Sequence, residues 1–197
     1  MINTALLSAA VAKAAHTFDS HEAELNAADG KLGDGDTGAM LKRLSAGLVA
    51  TDLVAAASLG DAFRALAMAA SAATGSSLGT LVMTALMSFA KGTAGETTMS
   101  TADLGPLLDS AIEAVLKRGG AHLGDKTVVD SLAAIALALK DNTEETALAS
   151  VRAAAHAALD QFRDQPNKLG RAGRYGDKSR GLDDPGMLAV ALLCDGF

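Results

Sequence analysis

Apolar side chains recur every three to four residues along most of the chain, which is the spacing of one face of an α-helix. No segment alternates apolar and polar residues for long enough to predict a β-strand. The pattern therefore predicts an all-α fold with eight helices. The predicted helices span residues 2–27, 38–50, 59–73, 78–91, 103–118, 127–140, 143–163 and 184–195.

Residues that favour helix starts precede two of these segments. Thr101 or Asp103 is suited to begin the fifth helix, and Asp141 or Asn142 the seventh, because short polar side chains accept hydrogen bonds from the free amides of a first turn. No proline-rich or serine-rich linker interrupts the succession of helices. We therefore expect residues 1–197 to form a single domain.

The composition indicates which residues fill the core and which classes of partner are excluded. Apolar residues make up 49% of the chain but aromatic residues only 3%, so alanine and leucine must fill the interior, which favours closely packed helices. A net charge of −6 without a basic run argues against a nucleic-acid partner. The only cysteine, Cys194, excludes an internal disulfide and suits a reducing compartment. The chain shows neither a signal peptide nor an apolar run long enough for a membrane span, so we expect a soluble, cytoplasmic protein.

Three aspartates crowd the glycine-rich segment between the first two predicted helices. They are Asp29, Asp34 and Asp36. Like charges at ~5–6 Å cost roughly 3 kcal/mol per pair at an effective dielectric near 20, and a divalent cation removes that cost. Carboxylate oxygens without nearby cysteine or paired histidine suit Mg²⁺, Ca²⁺ or Mn²⁺ rather than Zn²⁺. Three carboxylates that share the cation with phosphate oxygens would form a workable Mg²⁺ shell.

Two known motifs fit this segment poorly. An EF-hand that started at Asp34 would need acidic or amide ligands where the chain has Gly38 and Ser45. Gly33, Gly35 and Gly38 spell G-x-G-x-x-G, but the dinucleotide-binding motif follows a β-strand, and the preceding residues here are helical. An ordinary solvated turn between two helices remains the alternative to a metal site.

Four connections hold most of the unusual residues: 29–38, 74–79, 119–127 and 165–186. They follow the first, third, fifth and seventh predicted helices. In an up-and-down bundle, connections that follow odd-numbered helices lie at the same end. We therefore expect all four segments to converge on one rim.

Several groups in these connections are suited to phosphate. The hydroxyl-rich segment 74–79 directly precedes a helix, whose first amides and positive dipole end attract phosphate, although an ordinary N-cap is the alternative. Lys126 and Thr127 begin another helix and are candidates to contact a nucleotide, although a true P-loop follows a strand. Arg171 and Arg174, on the long connection, can balance phosphate charge through bidentate hydrogen bonds, and a basic solvated loop is the alternative.

Four motifs occur in order along the chain. They are Asp29-Gly30-Lys31-Leu32-Gly33-Asp34-Gly35-Asp36-Thr37-Gly38, Thr74-Gly75-Ser76-Ser77, Gly124-Asp125-Lys126-Thr127-Val128-Val129-Asp130, and Gly170-Arg171-Ala172 through Asp183-Asp184-Pro185-Gly186. In this order and spacing the chain resembles, over essentially its whole length, the nucleotide-binding L subunit (DhaL) of dihydroxyacetone kinases. The resemblance implies a barrel of eight antiparallel helices, with two Mg²⁺ ions that bridge aspartates to the phosphates of ADP or ATP at one rim.

The resemblance also implies roles for individual residues. Asp29, Asp34 and Asp36 would be the metal ligands. The residues implied to line the nucleotide are Thr37, Gly38, Ala39, Met40, Ser76, Ser77, Gly119, Val128, Arg171, Asp184, Pro185 and Gly186. Two of them depart from the family pattern. Many L subunits that work with the phosphoenolpyruvate phosphotransferase system have histidine where this chain has Thr37, and methionine is frequent where it has Val128.

The implied function is a subunit that is inactive alone. The phosphoryl group would pass from the Mg-nucleotide to dihydroxyacetone held on a separate K subunit. ADP would stay bound as a cofactor and be rephosphorylated by a phosphocarrier, the M subunit. Two alternatives stay open: an ATP-dependent L subunit of a related triose or tetrose kinase, and a nucleotide-sensing regulatory module without turnover.

Overall fold

Helices account for most of the chain in the computed structural model, which describes residues 1–140 and 144–197. The α-helices in these ranges are α1 (Thr4–Ser20), α2 (Glu22–Asp29), α3 (Thr37–Val49), α4 (Leu59–Ala73), α5 (Ser77–Gly92), α6 (Leu104–Gly119), α7 (Val128–Lys140), α8 (Glu144–Arg163) and α9 (Pro185–Asp195). Two 3₁₀-helices span Thr101–Asp103 and Ala172–Ser179. The predicted all-α fold is confirmed. The cap expected from Asp141 or Asn142 lies outside the described residues.

The α-helices form a closed ring in which neighbours along the chain pack against each other. Both α1 and α2 contact α3 and α9, so this pair occupies one position of the ring. From there the ring passes through α3, α4, α5, α6, α7 and α8 to α9, which closes it. A short antiparallel pair, β1 (Ile2–Asn3) with β2 (Thr98–Met99), ties the N-terminus to the connection after α5. The architecture is the predicted eight-position antiparallel barrel.

The prediction of one continuous helix over 2–27 is wrong, because the chain bends at His21 between α1 and α2. The bend is stabilised from outside the segment. Lys42 Nζ, on α3, lies 2.7 Å from the Asp19 carboxylate and 2.9 Å from that of Glu22, which are on opposite sides of the bend. His21 Nδ1 also lies 2.9 Å from Glu24 Oε2. Neither proline nor glycine marks this place, so apolar periodicity alone could not reveal it.

Small side chains allow the close packing of this barrel. Five alanines are 0% exposed: Ala62, Ala70, Ala111, Ala155 and Ala191. At Gly38, the Cβ of any other residue would overlap the carbonyl oxygen of Glu22 and lie 2.9 Å from Asn26 Oδ1. Glycine therefore allows α3 to begin directly against α2, which places Asp29 beside the start of α3. Within the described part of the chain, no helix is both long and apolar enough to cross a membrane.

Candidate functional site

The three aspartates lie together at one rim of the barrel. One carboxylate oxygen from each of Asp29, Asp34 and Asp36 lies within 4.8 Å of those of the other two. Asp29 is buried at the end of α2, and its Oδ2 accepts hydrogen bonds from the amides of Asp36 at 2.9 Å and Thr37 at 3.2 Å. The side chains of Asp34 and Asp36 are 50% and 64% exposed. One fixed carboxylate and two accessible ones make a donor set that fits a hard divalent cation.

The conformation of this aspartate loop depends on its glycines. A Cβ at Gly33 would overlap Asp29 Oδ1. Gly35 has φ +76°, in the left-handed region that glycine adopts without strain. Directly before Gly33, the buried side chain of Leu32 anchors the loop to the protein interior. The loop can therefore bring its carboxylates together only with glycine at these two positions.

Arg171 brings a positive charge to the same cluster from the long connection between α8 and α9. Its Nη1 forms an ion pair with Asp34 Oδ1 and lies 4.0 Å from Asp36 Oδ1. The guanidinium offsets part of the negative charge of the aspartates. This contact also joins the first and last of the four segments that the sequence placed on one rim.

A cleft of about 790 Å³ opens beside the aspartates, within the range of about 300–1,000 Å³ typical of small-molecule sites. All four connections contribute to it, which confirms their predicted convergence on one rim. The predicted nucleotide-lining residues found at the cleft are Thr37, Met40, Ser76, Ser77, Gly119, Val128, Arg171, Asp184, Pro185 and Gly186. Gly38 and Ala39 are not among the lining residues. Gly38 packs against α2, and the amide of Ala39 donates to Asn26 Oδ1 at 3.1 Å.

Four helix N-termini border the cleft, at Thr37, Ser77, Val128 and Pro185. They begin α3, α5, α7 and α9. Each contributes a positive dipole end, while side chains already accept from several first-turn amides, such as those of Thr37, Gly79 and Gly186. Such an arrangement attracts phosphate and other anions.

Local capping sets the direction of two of these helices. Ser76 Oγ accepts from the amide of Gly79 at 2.9 Å at the start of α5. Asp184 Oδ1 accepts from the amides of Gly186 and Met187, each at 3.0 Å, at the start of α9. Burial raises the pKa of Asp184 to about 6, against the opposing effect of these hydrogen bonds. The cap of α9 therefore includes a carboxyl group whose charge is costly to keep in the folded protein.

The structure also shows lining residues that sequence reasoning missed. Arg118 lies in the last turn of α6, beside the predicted Gly119, so its position next to a glycine pair was an available signal. The apolar wall carried no such signal, because its members resemble ordinary core positions. It consists of Leu78, Leu81, Val115, Ala121, Val129 and Leu169.

Of the two neighbouring candidates for nucleotide contact, the structure places one at the cleft and the other in the interior. Thr127 lines the cleft, but Lys126 does not, and the expectation that Lys126 contacts a nucleotide is not supported. Its side chain is 1% exposed and its Nζ donates to backbone carbonyl groups instead. Cys194 is buried as expected, and burial raises the pKa of its thiol to about 11.

Comparisons with known proteins agree with this geometry. The DAK2 domain model matches residues 31–197. The chain is 31% identical over 183 residues to the ADP-binding subunit DhaL of the PTS-dependent dihydroxyacetone kinase of Lactococcus lactis, with 89% of this chain and 86% of that protein covered. It is 35% identical over 182 residues to the L-erythrulose 1-kinase of Mycolicibacterium smegmatis, with 88% of this chain and 31% of that protein covered.

The fold has a solved counterpart. The dihydroxyacetone kinase from C. freundii, solved in complex with AMP-PNP and Mg²⁺, is similar with a TM-score of 0.76 and 22% identity. The similarity covers 100% of this chain and 34% of the solved one, so this chain spans about a third of the length of the solved protein. At this identity the likeness concerns the fold. Because the family model covers residues 31–197, and the L. lactis subunit is similar over most of both chains, this chain belongs to the DAK2 domain family.

Proposed function

We propose that this chain is the nucleotide-binding subunit of a cytoplasmic dihydroxyacetone kinase and binds ADP or ATP with Mg²⁺. The observation that carries the proposal is the cluster of three carboxylates at the edge of a cleft bordered by four helix N-termini. Two relatives support it. The L. lactis protein is named an ADP-binding subunit, and the C. freundii enzyme was solved with AMP-PNP and Mg²⁺.

Asp29, Asp34 and Asp36 would hold two Mg²⁺ ions. Bound Mg²⁺ neutralises phosphate charge and stabilises the charge that develops during phosphoryl transfer. Asp29 is held by two backbone amides, so its ligand oxygen is already positioned before anything binds. Arg171 is close enough to the aspartates to pair with a phosphate oxygen beside them.

The rest of the cleft suits the remainder of a nucleotide. The positive ends of α3 and α5 would meet the phosphates, together with the hydroxyl groups of Thr37, Ser76 and Ser77. The apolar wall, with Val128 and Pro185, would contact the base. Gly119 has no side chain to fill that end of the cleft.

The acceptor would be bound and activated on another polypeptide. Among the described residues that line the cleft, the titratable side chains are aspartates and arginines, with no histidine, lysine or cysteine to act as a base. Asp184, whose pKa burial raises to about 6, already accepts hydrogen bonds on both carboxylate oxygens from Asn167, Gly186 and Met187, so it is not free to take a proton from a substrate. In-line transfer requires reacting atoms within ~3–3.5 Å of each other, so a K subunit that holds dihydroxyacetone must dock over this rim. The chain alone should therefore be inactive.

The phosphoryl donor divides the proposal in two. In the first form, ADP stays bound and a phosphocarrier protein, the M subunit, rephosphorylates it. The L. lactis relative is named PTS-dependent. In the second form, ATP enters and ADP leaves in each turnover. Thr37, at the cleft where histidine is frequent in phosphotransferase-linked subunits, favours the second form, as does the similarity to an L-erythrulose kinase.

Reconstitution tests the proposal. The purified chain is mixed with a K subunit, Mg²⁺ and dihydroxyacetone, and product is measured with either ATP or a phosphorylated carrier protein plus catalytic ADP. We expect product only when this chain and the K subunit are both present, and the donor that supports turnover distinguishes the two forms. Nucleotide binding without product in every mixture would instead indicate a sensing module.

A further inference from the structure

Lys126 is the largest of the fully buried side chains in the described part of the protein. Its Nζ donates to the carbonyl oxygens of Arg163 at 2.9 Å, Gln165 at 2.8 Å and Ser179 at 3.0 Å. An ammonium group has three donors and no acceptor, so these contacts use its full hydrogen-bonding capacity. The group is therefore committed to the backbone of this chain.

The three carbonyl groups come from the two ends of one stretch of chain. Arg163 and Gln165 lie where α8 ends, and Ser179 ends the 3₁₀-helix. Residues 163–179 between them, defined here as the rim segment, include Arg171 and Arg174 of the cleft. Lys126 thus links the two ends of the rim segment.

A second buried side chain completes the connection to α9. Asn167 Nδ2 donates to the carbonyl oxygen of Lys126 and to Asp184 Oδ2, both at 2.8 Å. The amide of Asn167 donates to Ser179 Oγ at 2.7 Å. All four residues are buried. These hydrogen bonds connect the rim segment to the starts of α7 and α9, which border the cleft.

The position of Lys126 has a conformational and an electrostatic cost. It is the only residue other than glycine with positive φ, +59°, in the described ranges. Burial lowers the pKa of its ammonium group, while the nearby carboxylates of Asp184, Asp183 and Asp164 raise it. A non-glycine residue in the left-handed region persists where the surroundings hold it there, and such positions concentrate at functional sites.

We propose that Lys126 is a positioning residue for the nucleotide-binding cleft. Its ammonium group holds the two ends of the rim segment together, so that Arg171 reaches the aspartates and Arg174 lines the cleft. Lys126 itself touches neither metal nor nucleotide. The positioning role rests on the proposed function, because Mg-ADP affinity is the property that it controls.

The test compares Lys126→Met with Leu66→Ala. Methionine keeps an unbranched side chain and removes the ammonium group. Leu66 is buried in α4 and is not a lining residue of the cleft, so its truncation lowers stability without a change in the rim segment. Hydrogen exchange is measured without nucleotide by mass spectrometry, ADP affinity is measured with Mg²⁺ by calorimetry, and thermal melting is recorded for both variants.

We expect Lys126→Met to speed exchange in residues 163–179 at least tenfold, while α4 and α5 exchange as in the wild type. Mg-ADP should bind at least tenfold more weakly. Leu66→Ala should lower the melting temperature and leave Mg-ADP affinity within twofold of the wild type. If Lys126 contributed only to overall stability, both variants would have a lower melting temperature and neither would bind Mg-ADP more weakly.

A milder variant keeps the test decisive if Lys126→Met does not fold. Ser179→Ala leaves Lys126 in place but removes the hydroxyl that accepts from Asn167 and donates to the carbonyl oxygen of Gly176. Ser179→Ala should speed exchange in residues 163–179 about threefold and weaken Mg-ADP binding about threefold. Wild-type exchange in the rim segment, or wild-type Mg-ADP affinity in the variants, overturns the proposal. Failure of the wild type to bind Mg-ADP refutes the proposed function, and the exchange comparison still decides whether Lys126 holds the rim segment.

Discussion

Replacement of Asp36 by asparagine should stabilise the metal-free protein. The carboxylate oxygens of Asp29, Asp34 and Asp36 lie within 4.8 Å of one another. A like-charge pair at that distance costs about 3 kcal/mol at a dielectric of 20 and about 1 kcal/mol in bulk water. Because Asp36 is 64% exposed, solvent screening favours the lower figure. Its side chain makes no capping hydrogen bond to α3, so no cap is lost. The substitution relieves two such repulsions, with Asp29 and Asp34, and loses the attraction to Arg171 Nη1 at 4.0 Å, so we expect a net gain of about 1 kcal/mol, or roughly 2–4 °C in melting temperature.

The same substitution should weaken Mg-dependent ADP binding at least a hundredfold, which corresponds to roughly 2.7 kcal/mol, because it removes one of three anionic ligands. Scanning calorimetry of the metal-free protein and titration calorimetry with ADP and Mg²⁺ measure the two effects. Asp109→Asn is the matched control. It removes an equal charge from an exposed ion pair with Lys140, so it should leave binding unchanged and should not raise stability. Wild-type affinity in Asp36→Asn, or a lower melting temperature, would refute the metal assignment.

Three further predictions concern docking, pH and heat. Lys178→Glu, which is not at the cleft, should impair transfer to the substrate on the K subunit more than it impairs ADP binding, whereas Arg174→Glu, which changes a lining residue, should weaken both. Lys91→Glu, at the far end of α5, is the control, and an equal loss there contradicts the docking face. Burial raises the pKa of Asp184 from 3.8 to about 6, so the folded state holds this proton more tightly than the unfolded state. The wild type should therefore lose roughly 3 kcal/mol relative to Asp184→Asn as the pH rises from about 4 to about 6, measured by chemical unfolding, whereas parallel pH curves refute the assignment. ADP with Mg²⁺ at a hundred times the dissociation constant should add roughly 2.7 kcal/mol of stability, and a rise in melting temperature that EDTA does not reduce contradicts the bridging metal.

The sequence reveals those features that neighbouring residues determine. The helix predicted at 59–73 is α4 with the same bounds, and Ser58 Oγ accepts from the amide of Asp61 at 3.1 Å to begin it. The meeting of the four connections at one rim follows from helix order alone. The aspartate cluster follows from three charges separated by glycines. These inferences need only local propensity and the alternation of helix direction.

Features that depend on distant contacts escaped prediction. The bend at His21 is bridged by Lys42 of α3, and the buried Lys126 donates to carbonyl groups at least 37 positions away. The apolar wall of the cleft also uses side chains such as Leu81 and Val115, which the helical pattern cannot distinguish from core. In each case the outcome is decided by which elements meet in the folded barrel.

Titration calorimetry of the wild-type chain with ADP, with and without Mg²⁺, tests the central claim most directly. Binding at the aspartate rim predicts one ADP per chain when Mg²⁺ is present and no measurable binding when EDTA replaces it. Equal ADP affinity in Mg²⁺ and in EDTA, or no binding in either, would contradict the account.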